Sequence, residues 1–156
     1  MRLNVFLLAL LLCLPLLYAC SGTAPAQQSQ ANRPTAPQPS GDTSVLIGQA
    51  VGIGSGAPIK QTPVYLAQIH WDEAHQNAAY VLDSANSPAT LTDQNGYFSF
   101  AELPAVEYAI VVGESDGNND VVRESNGNAR IFLPQPGKTI DAGTVQVNPI
   151  VQRAGG

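Results

Sequence analysis

Cysteine, aromatic and charged residues are all scarce in this chain of 156 residues. The only cysteines are Cys13 and Cys20, so the rest of the chain cannot form a disulfide. Aromatic residues make up 6% and charged residues 12%, and Trp71 is the single tryptophan. A domain beyond residue 43 must therefore be stabilised by an ordinary hydrophobic core, for which ~110 residues are sufficient.

Positive charge is also scarce, and no run of Lys or Arg occurs anywhere along the chain. The net charge of −5 argues against binding to nucleic acid or to an anionic surface. The chain has only two histidines and no Gly-x-Ser-x-Gly motif, which makes a catalytic triad improbable. We expect a protein that is not an enzyme and that needs no cofactor.

The chain has one long apolar run, residues 5–19, which follows Arg2 and ends immediately before Cys20. A basic start, an apolar run and a small residue before the cut are typical of an export signal. The run is shorter than the ~20 residues that span a bilayer. An uncleaved membrane anchor and an ordinary secretory signal cut elsewhere remain the alternatives.

The sequence Leu17-Tyr18-Ala19-Cys20 resembles the lipobox of bacterial lipoproteins. The resemblance implies a signal peptide over residues 1–19 and a diacylglyceryl group on Cys20, which becomes the first residue of the mature protein. Acylated Cys20 would anchor the protein in the lipid bilayer of the cell membrane or outer membrane, on the extracytoplasmic side. Two acyl chains give stable anchoring where one does not.

Residues 20–43 are rich in Pro, Gln, Ser, Ala and Thr and contain almost no branched aliphatic residues. Such a segment cannot bury enough apolar surface to fold, so we predict a disordered linker. A chain of this length spans roughly 25–30 Å, and its prolines extend it further. A flexible tail is predicted over residues 149–156.

Residues 44–148 show the pattern of an all-β sandwich, with short apolar segments separated by Gly, Pro, Asn and Asp. About seven strands are predicted. The strongest hairpin signal is Asp93-Gln94-Asn95-Gly96, where an aspartate can cap the turn and Asn-Gly tolerates positive φ. The predicted strands are residues 45–51, 63–69, 90–92, 97–100, 108–112, 129–133 and 143–147.

One segment, residues 69–88, departs from this pattern. Trp71, Ala74, Ala78 and Val81 recur at helical spacing, and two acids stand where a first helical turn favours them. The spacing predicts a short helix, and an extended loop is the alternative.

Several segments of this region together resemble the carboxypeptidase regulatory-like domains, which are transthyretin-like β-sandwiches with a Greek-key, immunoglobulin-like architecture. The resemblance covers residues 45–147. It implies a non-catalytic structural or protein-binding accessory module in the cell envelope, and related domains have carbohydrate-binding-like folds. The fibronectin type III sandwich is the rival family, because Leu103-Pro104 before Tyr108 is similar to its tyrosine corner. The segments that carry the first resemblance are Gly48-Gln49-Ala50-Val51, Gly56-Ala57-Pro58-Ile59, Thr62-Pro63-Val64-Tyr65-Leu66, Thr92-Asp93-Gln94-Asn95-Gly96-Tyr97-Phe98-Ser99-Phe100, Leu103-Pro104 and Tyr108-Ala109-Ile110-Val111-Val112.

The candidate ligand-binding residues are Trp71 and Tyr80. Aromatic side chains with a polar end are common at binding surfaces, so these two could form an exposed platform for a glycan or an envelope protein. The alternative is that Trp71 caps the open end of the sandwich core.

Two groups of residues are candidate metal ligands. Asp116, Asn118 and Asp120 match the start of a calcium loop, although Val121 stands where the loop needs glycine, and a hairpin tip is the alternative. His70 and His75 are five residues apart, which does not match the His-Glu-x-x-His zinc motif. Two histidines and a carboxylate could still meet in a loop and bind zinc, and solvated loop residues are the alternative.

Overall fold

The computed structural model describes residues 33–148. The predicted signal peptide, Cys20, the first part of the linker and the C-terminal tail lie outside the described residues. Within residues 33–148, no helix is long and apolar enough to cross a membrane.

The described residues form an all-β sandwich of nine strands in two sheets. The small sheet has the order β5-β1-β9, with β1 antiparallel to β5 and parallel to β9. In the large sheet the order is β3-β2-β6-β7, with β4 also on β2 and β8 also on β6. The strands are β1 (Ser44–Gly52), β2 (Pro63–Trp71), β3 (Ala78–Val81), β4 (Ala89–Leu91), β5 (Tyr97–Leu103), β6 (Tyr108–Gly113), β7 (Asn119–Val121), β8 (Ile131–Phe132) and β9 (Thr139–Val147).

The core lies between the sheets because alternate residues of each strand point to the same side. Leu66 of β2, Ile110 of β6 and Leu46 of β1 are fully buried in this core. Within the small sheet, Gly48 of β1 pairs with Phe98 of β5, and a Cβ atom at Gly48 would lie 2.5 Å from the ring of Phe98. Glycine at this position therefore permits the packing of the small sheet on its own aromatic residues.

The other face of the large sheet has a second, smaller apolar cluster. Ala67, Ile69, Ala109, Val111 and Val121 are buried there. Along each strand they alternate with residues that belong to the core between the sheets. The large sheet is thus buried on both faces along part of its length, which explains why β6 is apolar throughout.

The predicted helix in residues 69–88 is wrong. The segment forms a β-hairpin in which β3 pairs with β2, with Trp71 opposite Ala78 and Gln68 opposite Val81. The carboxylate of Asp72 accepts hydrogen bonds from the backbone of Gln76 and the side chain of Asn77, at 2.8 and 2.7 Å. Pairing with an existing strand and a capped turn outweigh a weak helical periodicity.

The predicted hairpin around Asp93 is correct as a turn and wrong as a strand pair. The Asp93 carboxylate accepts hydrogen bonds from the backbone N–H groups of Asn95 and Tyr97, at 2.7 and 2.8 Å. However, β4 pairs with β2 of the large sheet, whereas β5 pairs with β1 of the small sheet. The turn therefore connects the two sheets.

Two further strands, β3 and β7, are absent from the predicted set, which explains the count of nine rather than about seven. Each of them has only three or four residues. β3 lies in the segment for which a helix was predicted, and β7 begins with Asn and Asp, which are typical of turns.

Candidate ligand-binding groove

Trp71 and Tyr80 lie on the same face of the large sheet. Ile69 and Trp71 project from β2 on the side opposite the core, and Tyr80 stands directly across from Ile69. Trp71 and Tyr80 are therefore diagonal neighbours, with Cα atoms about 7–8 Å apart. Their exposed fractions are 38% and 44%. Trp71 is not part of the core between the sheets.

These two rings belong to a groove of about 570 Å³. Apolar residues of β2 and β3 form its floor, and the segment between β7 and β8 forms a wall. The volume falls within the range of roughly 300–1,000 Å³ that ligand pockets occupy. The groove is lined by Ile69, Trp71, Gln76, Asn77, Ala78, Tyr80, Glu124, Asn126, Asn128, Ala129 and Ile131.

The indole of Trp71 is held in one orientation. Its Nε1–H donates a hydrogen bond of 2.5 Å to the carboxylate of Glu107. The ring of His75 stacks on it, with centroids 5.9 Å apart and planes inclined by 8°. A ring fixed from two sides loses little side-chain entropy when a ligand binds on it.

The wall of the groove is a second hairpin, which closes through a bridge between Arg123 and Ala129. The side-chain carbonyl of Asn126 accepts a hydrogen bond from the backbone N–H of Asn128 at 2.9 Å. Sequence reasoning missed Asn126 and Asn128 as site residues. Their Asn-Gly-Asn pattern indicates a turn, and only the fold shows that this turn lies beside β3.

The groove is acidic rather than basic. Glu124 is its single charged lining residue within the described part of the chain. Nε of Arg130 lies 3.7 Å from the Glu124 carboxylate, while another nitrogen of the same guanidinium donates to the carbonyl of Ala142. At the end of the groove, hydrogen bonds from Gln76 and Asn77 hold the pKa of Asp72 below its ordinary value.

The predicted calcium ligands are divided between a turn and a strand. Asp116 and Asn118 lie in the turn between β6 and β7, which is the hairpin tip of the alternative interpretation. Asp120 lies on β7, where its carboxylate accepts hydrogen bonds from the backbone and side chain of Asn148 at 2.8 and 2.7 Å. The calcium site stays a prediction.

The two histidines do not form a shared site. His70 alternates with Ile69 and Trp71 along β2, so it points to the opposite face from the ring on which His75 stacks. Among residues 33–148, no group of three or more His, Cys, Asp or Glu side chains is arranged to hold a metal ion.

Residues 33–43 form the last part of the predicted linker, and we call them the strap. The strap contacts the outer face of the small sheet through residues 33–36. Arg33 forms a two-bonded ion pair with Asp141 of β9, at 2.6 and 2.7 Å, and its guanidinium lies 6.0 Å from the ring centre of Tyr97 on β5. A cavity of about 190 Å³ remains between the strap and this sheet, lined in part by Ile47 and Tyr97. The strap and the groove thus lie on opposite outer faces of the sandwich.

Comparisons with known proteins found no matching family model and no matching curated protein. Several solved structures are similar in shape. A candidate carbohydrate-binding protein from Pseudomonas aeruginosa has 19% identity and a TM-score of 0.43, over 70% of this chain and 92% of that one. The major pilin subunit of Bacillus cereus has 14% identity and a TM-score of 0.40, over 69% of this chain and 30% of the pilin.

An enzyme is also among the similar structures. Catechol 1,2-dioxygenase from an Acinetobacter species has 13% identity and a TM-score of 0.39, over 69% of this chain and 53% of the dioxygenase. At these identities and scores, none of the three similarities carries an argument about function.

Proposed function

We propose that this protein is a membrane-tethered, extracytoplasmic lipoprotein whose β-sandwich is a non-catalytic binding module, and that its groove binds a glycan. The observation that carries the proposal is the exposure of Trp71 and Tyr80 on one face of one groove. Of the two functions that the sequence left open, the groove favours carbohydrate binding over a purely structural role. The carboxypeptidase regulatory-like resemblance is compatible with either role.

Aromatic rings suit a glycan because a sugar ring has an apolar face of C–H groups and a rim of hydroxyl groups. A fixed indole offers the apolar face a flat surface, and polar side chains at the edge of a pocket fix the orientation of the ligand. Trp71 supplies such a surface, and Gln76, Asn126 and Asn128 supply polar side chains. The same combination has no evident role in stabilising the core.

The strap leaves the groove accessible. The strap joins the sandwich at the outer face of the small sheet, whereas the groove opens on the outer face of the large sheet. A ligand can therefore reach the groove without displacing the strap.

Intrinsic fluorescence tests the glycan proposal directly, because Trp71 is the only tryptophan. We expect one class of oligosaccharide to quench or shift the emission of the full-length protein saturably and to raise its melting temperature. Tyr80→Ala should weaken this binding at least tenfold, because it removes about 1.4 kcal/mol or more of stacking. Leu91→Ala, which is 62% exposed on β4 and outside the groove, is the control. A panel of oligosaccharides without any saturable response would refute carbohydrate binding.

Lipidation is tested by intact-mass analysis and membrane fractionation beside Cys20→Ala. We expect a lipid adduct and a membrane-bound product only with the native cysteine, because two acyl chains give stable anchoring. A soluble product from both proteins, cut at another position, would contradict the anchor.

A second candidate function, binding of an extended protein segment, is favoured by the edge strand β3. Its four residues are exposed, none is charged, and within residues 33–148 it pairs only with β2. Uncharged open edges invite strand pairing, and natural proteins usually protect them with charges or prolines. Cross-linking in intact cells from Ala79→Cys would identify such a partner.

A further inference from the structure

The groove presents carboxamides that have no hydrogen-bond partner among the described residues. No hydrogen bond within residues 33–148 uses the side-chain amides of Gln76 or Asn128, and the Asn126 amide uses only its oxygen. Each free carboxamide offers two N–H donors and one acceptor oxygen, which is the set that neighbouring hydroxyl groups of a sugar require.

The indole N–H is not available to a ligand, because the Glu107 carboxylate accepts it. Trp71 can therefore contribute its ring face alone, and the hydrogen bonds to a ligand must come from the groove walls. Gln76 lies at the β2–β3 turn and Asn128 on the opposite wall, so amides flank the aromatic floor.

The charges of the groove oppose an anionic ligand. Glu124 lines it, Glu107 holds the indole, and no Lys or Arg is among its described lining residues. The two arginines beside the wall already have partners. Arg123 donates to the carbonyl of Gly127. Arg130 donates to the carbonyl of Ala142, lies over the ring of Phe132 at 4.8 Å and has its Nε 3.7 Å from the Glu124 carboxylate. A ligand carboxylate in the groove would lose its hydration and would have to compete with Glu124 and the Ala142 carbonyl for the guanidinium of Arg130.

We propose that the groove is selective for uncharged glycans, which Gln76 and Asn128 recognise through hydroxyl or acetamido groups, and that Glu124 excludes anionic glycans. This inference rests on the proposed function. It adds a class of ligand and three specificity residues to the two aromatic residues. Selection against a competitor by repulsion is a common way to obtain specificity.

The test compares a neutral and an anionic ligand of similar length, N-acetylglucosamine hexamer and hyaluronan hexasaccharide, by titration of Trp71 fluorescence in the full-length protein. We expect saturable binding of the neutral hexamer and at least tenfold weaker binding of hyaluronan. Asn128→Ala should lower the affinity for the neutral hexamer about 5- to 30-fold, which is the loss expected for one or two hydrogen bonds. Glu124→Gln should reduce the difference in affinity between the two ligands, because it removes the negative charge that repels hyaluronan.

The control is Gln94→Glu, an exposed carboxamide-to-carboxylate change in the turn before β5, which should alter neither titration. The matching change in the groove is Asn128→Asp. It should weaken the binding of both ligands, and it should weaken the binding of hyaluronan more than that of the neutral hexamer. Gln76→Ala is the second variant if Asn128→Ala lowers the melting temperature, because Gln76 is exposed in a turn held by other groups.

The outcomes separate the two proposals. Equal binding of hyaluronan and the neutral hexamer, or an unchanged affinity in both Asn128→Ala and Gln76→Ala, overturns the selectivity and leaves carbohydrate binding intact. Absence of a response to hyaluronan, to the neutral hexamer and to neutral hexoses in α and β linkage overturns carbohydrate binding and the selectivity with it.

Discussion

The two outer faces of this sandwich differ in how much of each is covered by other parts of the chain. On the small sheet, the strap crosses the face and Arg33 links it to Asp141, so side chains such as Ile47 are half-buried. On the large sheet, the middle of the outer face is buried, whereas Trp71 and Tyr80 at one end of this face remain exposed. A protein that can cover one face with its own chain has left two large rings uncovered on the other. That difference is the observation on which the ligand-binding proposal rests.

The largest effect is expected from a substitution in the buried middle of the large-sheet face. Comparing it with the same substitution at the exposed end tests whether the two parts differ. Val111→Ala, in the buried part with 1% exposure, should cost about 2 kcal/mol through lost apolar burial and the cavity left behind. The same substitution at Val81, which is 49% exposed on β3, should change the free energy of unfolding by less than about 0.5 kcal/mol. Urea unfolding measures both. Equal losses would show that the end of the sheet is not open.

An intermediate effect is expected at the turn that connects the two sheets. Asp93→Ala removes an acceptor used by two backbone N–H groups, and we expect a loss of about 1–2 kcal/mol. Asp93→Asn keeps a carbonyl oxygen at this position and should lose less. The melting temperatures of the two variants provide the measurement, and an Asp93→Ala protein as stable as the parent would contradict the capping role.

The smallest effect concerns the strap. Arg33 and Asp141 are 27% and 50% exposed, so solvent screens their ion pair and Arg33→Gln should cost at most about 1 kcal/mol. We expect its main result to be motion of the strap, seen as a lower heteronuclear NOE at Thr35 and Ala36. An unchanged NOE in Arg33→Gln would show that other contacts hold the strap.

Acid should also break the ion pair between Arg33 and Asp141 and so increase the motion of the strap. The hydrogen bond from Arg33 is the main reason that the pKa of Asp141 is lowered in the folded protein. The ion pair therefore contributes stability above the ordinary aspartate pKa of 3.8, and this contribution is lost as the pH falls through the lowered pKa. Asp141→Asn should show no such transition in the NOE of the strap.

Part of the site was predictable from the sequence, and part was not. Trp71 and Tyr80 were identified by residue type, since two aromatic residues in a polar segment are unusual in a chain with few of them. Their alignment on one face was not predictable, because the helical spacing of Trp71, Ala78 and Val81 concealed a hairpin. The wall residues Asn126 and Asn128 were missed altogether. They are about fifty residues away along the chain, and only the order of the strands brings them to the groove.

The sequence by itself determined the fold class, the positions of most strands and the turn at Asp93, because alternation and turn chemistry are local properties. The tertiary structure alone decided which strands share a sheet. The turn at Asp93 forms as its residues dictate, yet its two strands separate because each finds a better partner, β2 and β1, elsewhere in the chain. The groove likewise follows from long-range pairing, since it requires the β2–β3 hairpin and the segment after β7 to meet on one face.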